Sequence, residues 1–239
     1  MNTVTQSRGQ NDLLNALHGV DLDLIRPHLT HEMKAAGDVI YQPGDDIGRV
    51  YFPLGPSLVS YVVNNIDGET VQTILVGREG AVGGIVSSGG LPAYCLISVK
   101  VGGSFFVADV AKIQSAKDSS ASFRRLFERY SDCLMAQIFQ ATACNAVHSV
   151  EQRAAKWILE EADRAQETVV HLSHEELASR LGVGRSYVTR VLRSFVAEGV
   201  LKTAREAITI LDRSALEQKS CGCNQHVERH FGRVLGGIY

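Results

Sequence analysis

The sequence of 239 residues contains no unbroken run of about 18 apolar residues, so no helix that crosses a bilayer is expected. The opening stretch Met1–Asn11 is polar and lacks the apolar core of a secretory signal; it reads as a loose arm on a cytoplasmic protein. Cysteine is scarce and odd in number. Cys95, Cys133 and Cys144 are scattered and only Cys221 and Cys223 lie close, which argues for free thiols rather than a disulfide framework. No nucleophile elbow, P-loop or dinucleotide fingerprint is present. From Val39 to Ala108 there is no histidine, which removes the clustered ligands that a metal-dependent oxygenase or isomerase on a β-scaffold needs. An enzyme is therefore not expected.

What is present is an uneven charge distribution and two periodicities. The net charge is -2, yet residues 171–239 hold ten Lys/Arg against seven Asp/Glu. Between Arg180 and Arg193 there are four arginines and no acid. An acidic body with a basic face near one end suits a nucleic-acid-binding module attached to a separate domain. The length suits two domains of ordinary size.

Residues 12–30 read as a short helical entry. From about 38 to 110 the chain alternates short β runs with Gly/Pro/Asp turns: Val39–Tyr41, Val50–Phe52, Leu58–Val63, Val71–Val76, Tyr94–Val99 and Ser104–Ala108. Such spacing predicts an antiparallel sandwich or barrel, with Asn65–Gly68 as a hairpin turn. From about 111 the period becomes helical. Phe123, Phe127, Tyr130, Leu134, Ile138, Ala141 and Asn145 mark one stripe of a long helix, roughly 119–147. That stripe either caps the β-domain or pairs with its copy in a dimer, and its length favours the dimer. Val150–Ala165 reads as a further helix.

The segment Leu172–Phe195 carries the most specific pattern. Ser173 and Glu176 form a capping box at a helix start. Leu177, Ala178 and Leu181 give that helix a buried face, and Gly182 stands where it must end. Gly184 opens a second helix with Val188, Val191, Leu192 and Phe195 on its apolar side. The opposite side presents Arg185, Ser186, Thr189, Arg190 and Arg193. A merely solvated face mixes glutamate with arginine; this one does not. Leu201–Lys202 and Ala207–Leu211 read as a two-stranded wing.

These residues resemble the Crp/Fnr family of transcription factors over nearly the whole chain. Pro43-Gly44-Asp45, Val50–Pro53 and Gly77-Arg78-Glu79-Gly80 resemble motifs of its β-roll, and the long helix resembles its dimerisation helix. The resemblance implies an α+β fold: an N-terminal antiparallel β-roll (a jelly roll of cyclic-nucleotide-binding-like type), a dimerisation helix and a C-terminal winged helix-turn-helix. It divides the chain into 12–118, 119–148, 149–220 and a tail, 221–239. It places Arg185, Ser186, Thr189 and Arg190 on base-reading positions and Ser173, His174, Arg180 and Arg193 near phosphate. Ser186 stands where cyclic-AMP-responsive and Fnr-like members commonly carry glutamate, so their operator sequence does not transfer.

The resemblance also sharpens what is lacking. Cyclic-nucleotide sites of this kind pair a buried arginine with the phosphate, yet no arginine occurs between Arg78 and Arg124. Burying that phosphate without a partner is severely unfavourable. The absence of cysteine before Cys95 removes the iron–sulfur mode, and His18, His28 and His31 read as surface histidines rather than haem ligands. Glu79, Gly80, Gly83 and Gly84 either line a degenerate pocket for another ligand or form a turn region with a filled interior. In the tail, Cys221, Cys223, His226 and His230 offer two thiols and two imidazoles, but Cys-x-Cys is shorter than the usual zinc knuckle. The plainer reading is a reduced cysteine pair beside surface histidines, with a redox-sensitive thiol pair next. The expected partners are double-stranded DNA, a second copy of the chain and RNA polymerase. No cofactor and no membrane partner is expected, and no effector is identified.

Overall fold

The computed structural model describes residues 11–64, 70–85, 91–165 and 167–236. The hairpin turn expected at Asn65–Gly68 lies outside the described residues. By contacts the chain divides into two units. One comprises Met1–Val62, Ile74–Gln137 and Arg229–Tyr239; the other comprises Val63–Thr73 and Ile138–Glu228.

The first unit opens with two short helices, α1 (Asp12–Asn15) and α2 (Gly19–Ile25), and a 3-10 turn at Arg26–His28. Buried Asn11 anchors this entry. Its amide donates to the carbonyls of Pro53 and Gly80, and its oxygen accepts from the Leu14 N–H. Seven strands follow: β1 (Thr30–Lys34), β2 (Val39–Tyr41), β3 (Arg49–Pro53), β4 (Leu58–Asn64), β5 (Thr70–Val76), β6 (Leu96–Val101) and β7 (Gly103–Asp109). They form one sheet of order β1-β7-β3 and another of order β2-β6-β4-β5, with antiparallel pairing in every described ladder.

The register explains why β3 and β7 are apolar on both faces. Val50 pairs with Ala108 and Phe52 with Phe106, and these four face the helices. Tyr51, opposite Val107, and Pro53, opposite Phe105, alternate to the other face, as a pleat of period two requires. The helix-side core collects Leu13, Leu22 and Ile25 from the entry helices, Leu17 from between them, and Phe123, Phe127 and Tyr130 from the long helix. β1 has no counterpart among the strands expected from the sequence, because Thr30–Lys34 has no apolar alternation. It is an edge strand held by backbone pairing to β7, and exposed or half-buried along its length.

The helical stretch after the roll divides at Ser120, whose backbone is extended. α3 covers Val110–Ser119 and α4 covers Ala121–Val147. Ser120 and Ser122 each donate a hydroxyl hydrogen bond of 2.6 Å to the carboxylate of buried Asp21, fixing the start of α4 against the entry helices.

The second unit begins its compact part with α5 (Val150–Ala165), followed by β8 (Val169–Val170), α6 (His174–Leu181), α7 (Arg185–Ala197), β9 (Leu201–Thr203), β10 (Ile208–Ile210) and α8 (Arg213–Lys219). α9 runs from Cys223 to Leu235. The wing is a sheet of order β8-β10-β9, one strand more than the sequence suggests, because the two residues of β8 are too few to show a period. No helix among the described residues is long and apolar enough to cross a membrane. The architecture is α+β, with antiparallel sheets N-terminal and a winged helix-turn-helix C-terminal.

Candidate nucleic-acid interface

α6 begins where the side chain of Ser173 accepts from the Glu176 N–H and the Glu176 carboxylate accepts from the Ser173 N–H. This reciprocal cap satisfies two N–H groups that a helix end leaves open. The helix stops at Gly182, whose φ of 65° lies in the left-handed region that glycine enters without strain. Arg153 on α5 closes the turn from outside, donating to the Leu181 carbonyl at 3.1 Å. Gly184 then caps α7 with an extended backbone.

The orientation of α7 follows from its apolar stripe. Val188, Val191, Leu192 and Phe195 are buried, so the other side of the helix is turned outward. Arg185, Ser186, Arg190 and Arg193 are exposed there, and no acid occurs in α7 itself. Arg185 meets Glu175 at 3.7 Å, but both side chains are more than two-thirds exposed, so the pair is screened and worth little. Thr189 is half-buried, and its hydroxyl shares a hydrogen bond of 3.0 Å with Nδ1 of His174. That contact joins the N-terminus of α6 to the middle of α7. Burial, then the positive charges of Arg185 and Arg193, hold the His174 imidazole below its ordinary pKa.

Tyr187 is a residue of this face that sequence reasoning missed, though its spacing of three from Arg190 is a helical neighbour's. The Arg190 guanidinium carbon lies 5.5 Å from the centre of the Tyr187 ring, and the Tyr187 phenol donates to Glu151 at 3.1 Å. Tyr187 thus steadies Arg190 through its ring and α5 through its hydroxyl.

Arg180 departs from the expectation that it faces phosphate. Its side chain is 1% exposed and ion-paired to Glu161 at 2.5 Å. Its guanidinium also lies 5.4 Å from the centre of the Trp157 ring. It is a core residue joining α6 to α5. Ser173, His174 and Arg193 remain on or near the outward side.

In the roll, the glycines of the expected pocket are met by protein. A Cβ at Gly80 would collide with the Tyr130 hydroxyl, and one at Gly84 would collide with Cγ2 of Val110. At Gly83 the nearest atom would be the Arg49 carbonyl oxygen, 2.5 Å away. Tyr130 donates to the Ala81 carbonyl and accepts from the Ala81 N–H, both at 3.0 Å. The Glu79 carboxylate accepts from the Gly77 N–H of its own turn at 3.0 Å. Tyr130 and Val110 thus pack directly against the backbone at Gly80 and Gly84.

In the tail, the two cysteines and two histidines that the sequence offers as a less favoured metal set do not come together. His226 is exposed and His230 half-buried, and neither joins the cysteines. Cys221 and Cys223 instead meet Cys144 and His148. The spacing Cys144-x3-His148 is visible in the sequence, but nothing local ties it to a segment more than seventy residues later.

Residues 152–219 match the family of Crp-like helix-turn-helix domains. No curated protein matches the sequence closely enough to count as a relative. Among solved structures, the chain resembles FixK2 from Bradyrhizobium japonicum at 17% identity, covering 81% of this chain and 98% of that one, with a TM-score of 0.68. It resembles the c-di-GMP-responsive global regulator CLP of Xanthomonas campestris at 15% identity over 82% and 100% of the two chains, TM-score 0.67. A CRP-family transcriptional regulator from Thermus thermophilus is similar at 21% identity over 79% and 95%, TM-score 0.65. These likenesses establish the fold; the Xanthomonas campestris and Thermus thermophilus proteins are named as regulators. The chain carries a Crp-like helix-turn-helix domain, the DNA-binding module of Crp/Fnr-type transcriptional regulators, on a body with the fold of that family.

Proposed function

We propose that this protein is a homodimeric regulator that reads a pseudo-palindromic operator by placing α7 in the major groove. The observation that carries the reading is the outward face of α7, where Arg185, Ser186, Arg190 and Arg193 stand together without an acid over a fully buried apolar stripe. Arg185 and Arg190 have the reach to bond guanine O6 and N7, with Ser186 and Thr189 beside them. Ser173, His174 and Arg193 serve the phosphate backbone.

The long helix supports the dimer. Phe123, Phe127 and Tyr130 are used up in the roll's own core, whereas Met135, Ile138 and Phe139 further along the same helix are 48%, 46% and 69% exposed. Three large apolar side chains at helical spacing suit a seam with a second copy of α4. The functional division follows: 12–118 as the roll, 119–148 as the dimer helix, 149–220 as the DNA reader and 221–239 as the tail. The roll serves as an effector or structural domain that does not use the usual cyclic AMP site. It lacks the phosphate-binding arginine, and Tyr130 and Val110 fill the space beside its glycines. The protein acts in the cytoplasm beside RNA polymerase.

Selection of bound sequences from random DNA tests the reading. Two half-sites about one helical turn apart are expected. Affinity for the selected site should fall steeply with salt through counterion release. A salt-independent affinity, or enrichment of no sequence, would overturn it.

A further inference from the structure

Cys144 lies in the last turn of α4, and His148 follows one turn later, its N–H donating to the Cys144 carbonyl at 3.1 Å. The two side chains therefore leave the chain on one side. Cys221 sits in the connection after α8, and Cys223 opens α9. The Asn224 side chain donates to the Lys156 carbonyl at 3.2 Å, holding that connection against α5. The Sγ atoms of Cys144 and Cys221 are 3.5 Å apart, and Sγ of Cys223 is 3.6 Å from Nδ1 of His148. All four ligand atoms lie within 4.8 Å of one another, and all three thiols are buried.

Buried thiols commonly pack as small apolar groups. That role does not explain an imidazole nitrogen turned into three of them. A tetrahedral zinc ion, with Zn–S of about 2.3 Å and Zn–N of about 2.0–2.1 Å, sets its ligand atoms about 3.5–3.8 Å apart. The two contacts quoted above have that length. A disulfide needs its sulfurs at about 2.05 Å, far closer than Cys144 and Cys221 stand. Gln140 also donates to Sγ of Cys223 at 3.2 Å, the kind of supporting hydrogen bond that steadies a metal-bound thiolate.

We propose that Cys144, His148, Cys221 and Cys223 form a structural zinc site. On binding, each thiol gives up its proton to solvent and the neutral imidazole completes the tetrahedron, with no change of oxidation state. Four protein ligands leave no open position, so the ion is structural rather than catalytic. It fastens the end of α4 to the α8–α9 connection.

The full-length protein, purified under reducing conditions, is assayed for zinc by elemental analysis, then stripped with a chelator and titrated with cobalt(II). About one ion per chain is expected, with the visible bands of tetrahedral, thiolate-bound cobalt. C144S and C221S should abolish those bands, while the pair H226A and H230A should leave them intact. Folding is separated from binding in the unaltered protein: zinc should slow alkylation of Cys144, Cys221 and Cys223, mapped by mass spectrometry. Reduced protein that takes up neither ion, or alkylation unchanged by zinc, overturns the proposal. So does a cobalt spectrum that survives in C144S and C221S. A Cys144–Cys221 disulfide formed on air exposure, in a chain that binds no metal when reduced, would assign a redox pair instead and equally overturn it.

Discussion

The Arg180 guanidinium lies 2.5 Å from the Glu161 carboxylate, with both side chains only 1% exposed. An ion pair so placed is costly to desolvate as a whole and far more costly to break by halves. Arg180→Ala leaves a buried carboxylate alone and should cost ~3–5 kcal/mol. Replacing both partners with apolar residues, Arg180→Met with Glu161→Leu, should recover most of that loss. Urea unfolding followed by circular dichroism measures both. A small loss in the single variant would mean that water reaches Glu161.

Arg185 and Arg193 stand on the same outward face but are assigned different partners. Arg185→Ala should cost roughly 1–3 kcal/mol on the selected operator and relax preference at one base position. Arg193→Ala should weaken all sequences alike and reduce the salt slope by about 1. Binding to an operator and a scrambled duplex across a salt series separates the two. Equal loss on both duplexes in Arg185→Ala would place that side chain on phosphate.

If His174 meets phosphate as proposed, it should give DNA binding a pH dependence of definite sign. In the free protein, burial and the charges of Arg185 and Arg193 lower its pKa, so it is neutral at pH 7. A phosphate beside it favours the imidazolium, so the complex binds more protons than the free chain. Affinity should therefore rise as pH falls from the bound-state pKa toward the depressed free-state one. His174→Gln should flatten the dependence. The same depressed pKa acts oppositely on folding: the unfolded chain takes the proton first, so this group's contribution to stability falls as pH drops below the ordinary histidine range. A dependence unchanged in His174→Gln would remove the residue from the interface.

Gly80 and Tyr130 make the roll's interior testable. Gly80→Ala drives a Cβ into the Tyr130 hydroxyl, against a ring fixed by two hydrogen bonds to Ala81. Overpacking of this kind should cost ~1–3 kcal/mol, read as a lowered melting temperature. Tyr130→Phe should cost a similar ~1–3 kcal/mol, because it leaves the Ala81 N–H and carbonyl buried without partners. A neutral Gly80→Ala would show that Tyr130 swings aside and that the space can open.

The helix-turn-helix is legible in the sequence because its determinants are local. The capping box of Ser173 and Glu176, the left-handed turn at Gly182 and the stripe from Val188 to Phe195 all act within about one or two helical turns. Most roll strands are legible for the same reason, since alternation and turn residues mark them. β1 is not, because an exposed edge strand is selected by its backbone partner rather than by its side chains.

By itself, then, the sequence determined most element types, the outward arginines of α7 and the absence of any arginine between Arg78 and Arg124, all properties of neighbouring residues or of composition. Only the tertiary structure decided that Arg180 belongs to Glu161 and not to solvent, because its surroundings come from α5, nineteen residues earlier. It likewise decided that Tyr130 fills the space beside Gly80, and that Cys221 and Cys223 meet Cys144 and His148 rather than their own neighbours His226 and His230. Such choices depend on which elements pack together, and packing brings together residues that no local period connects.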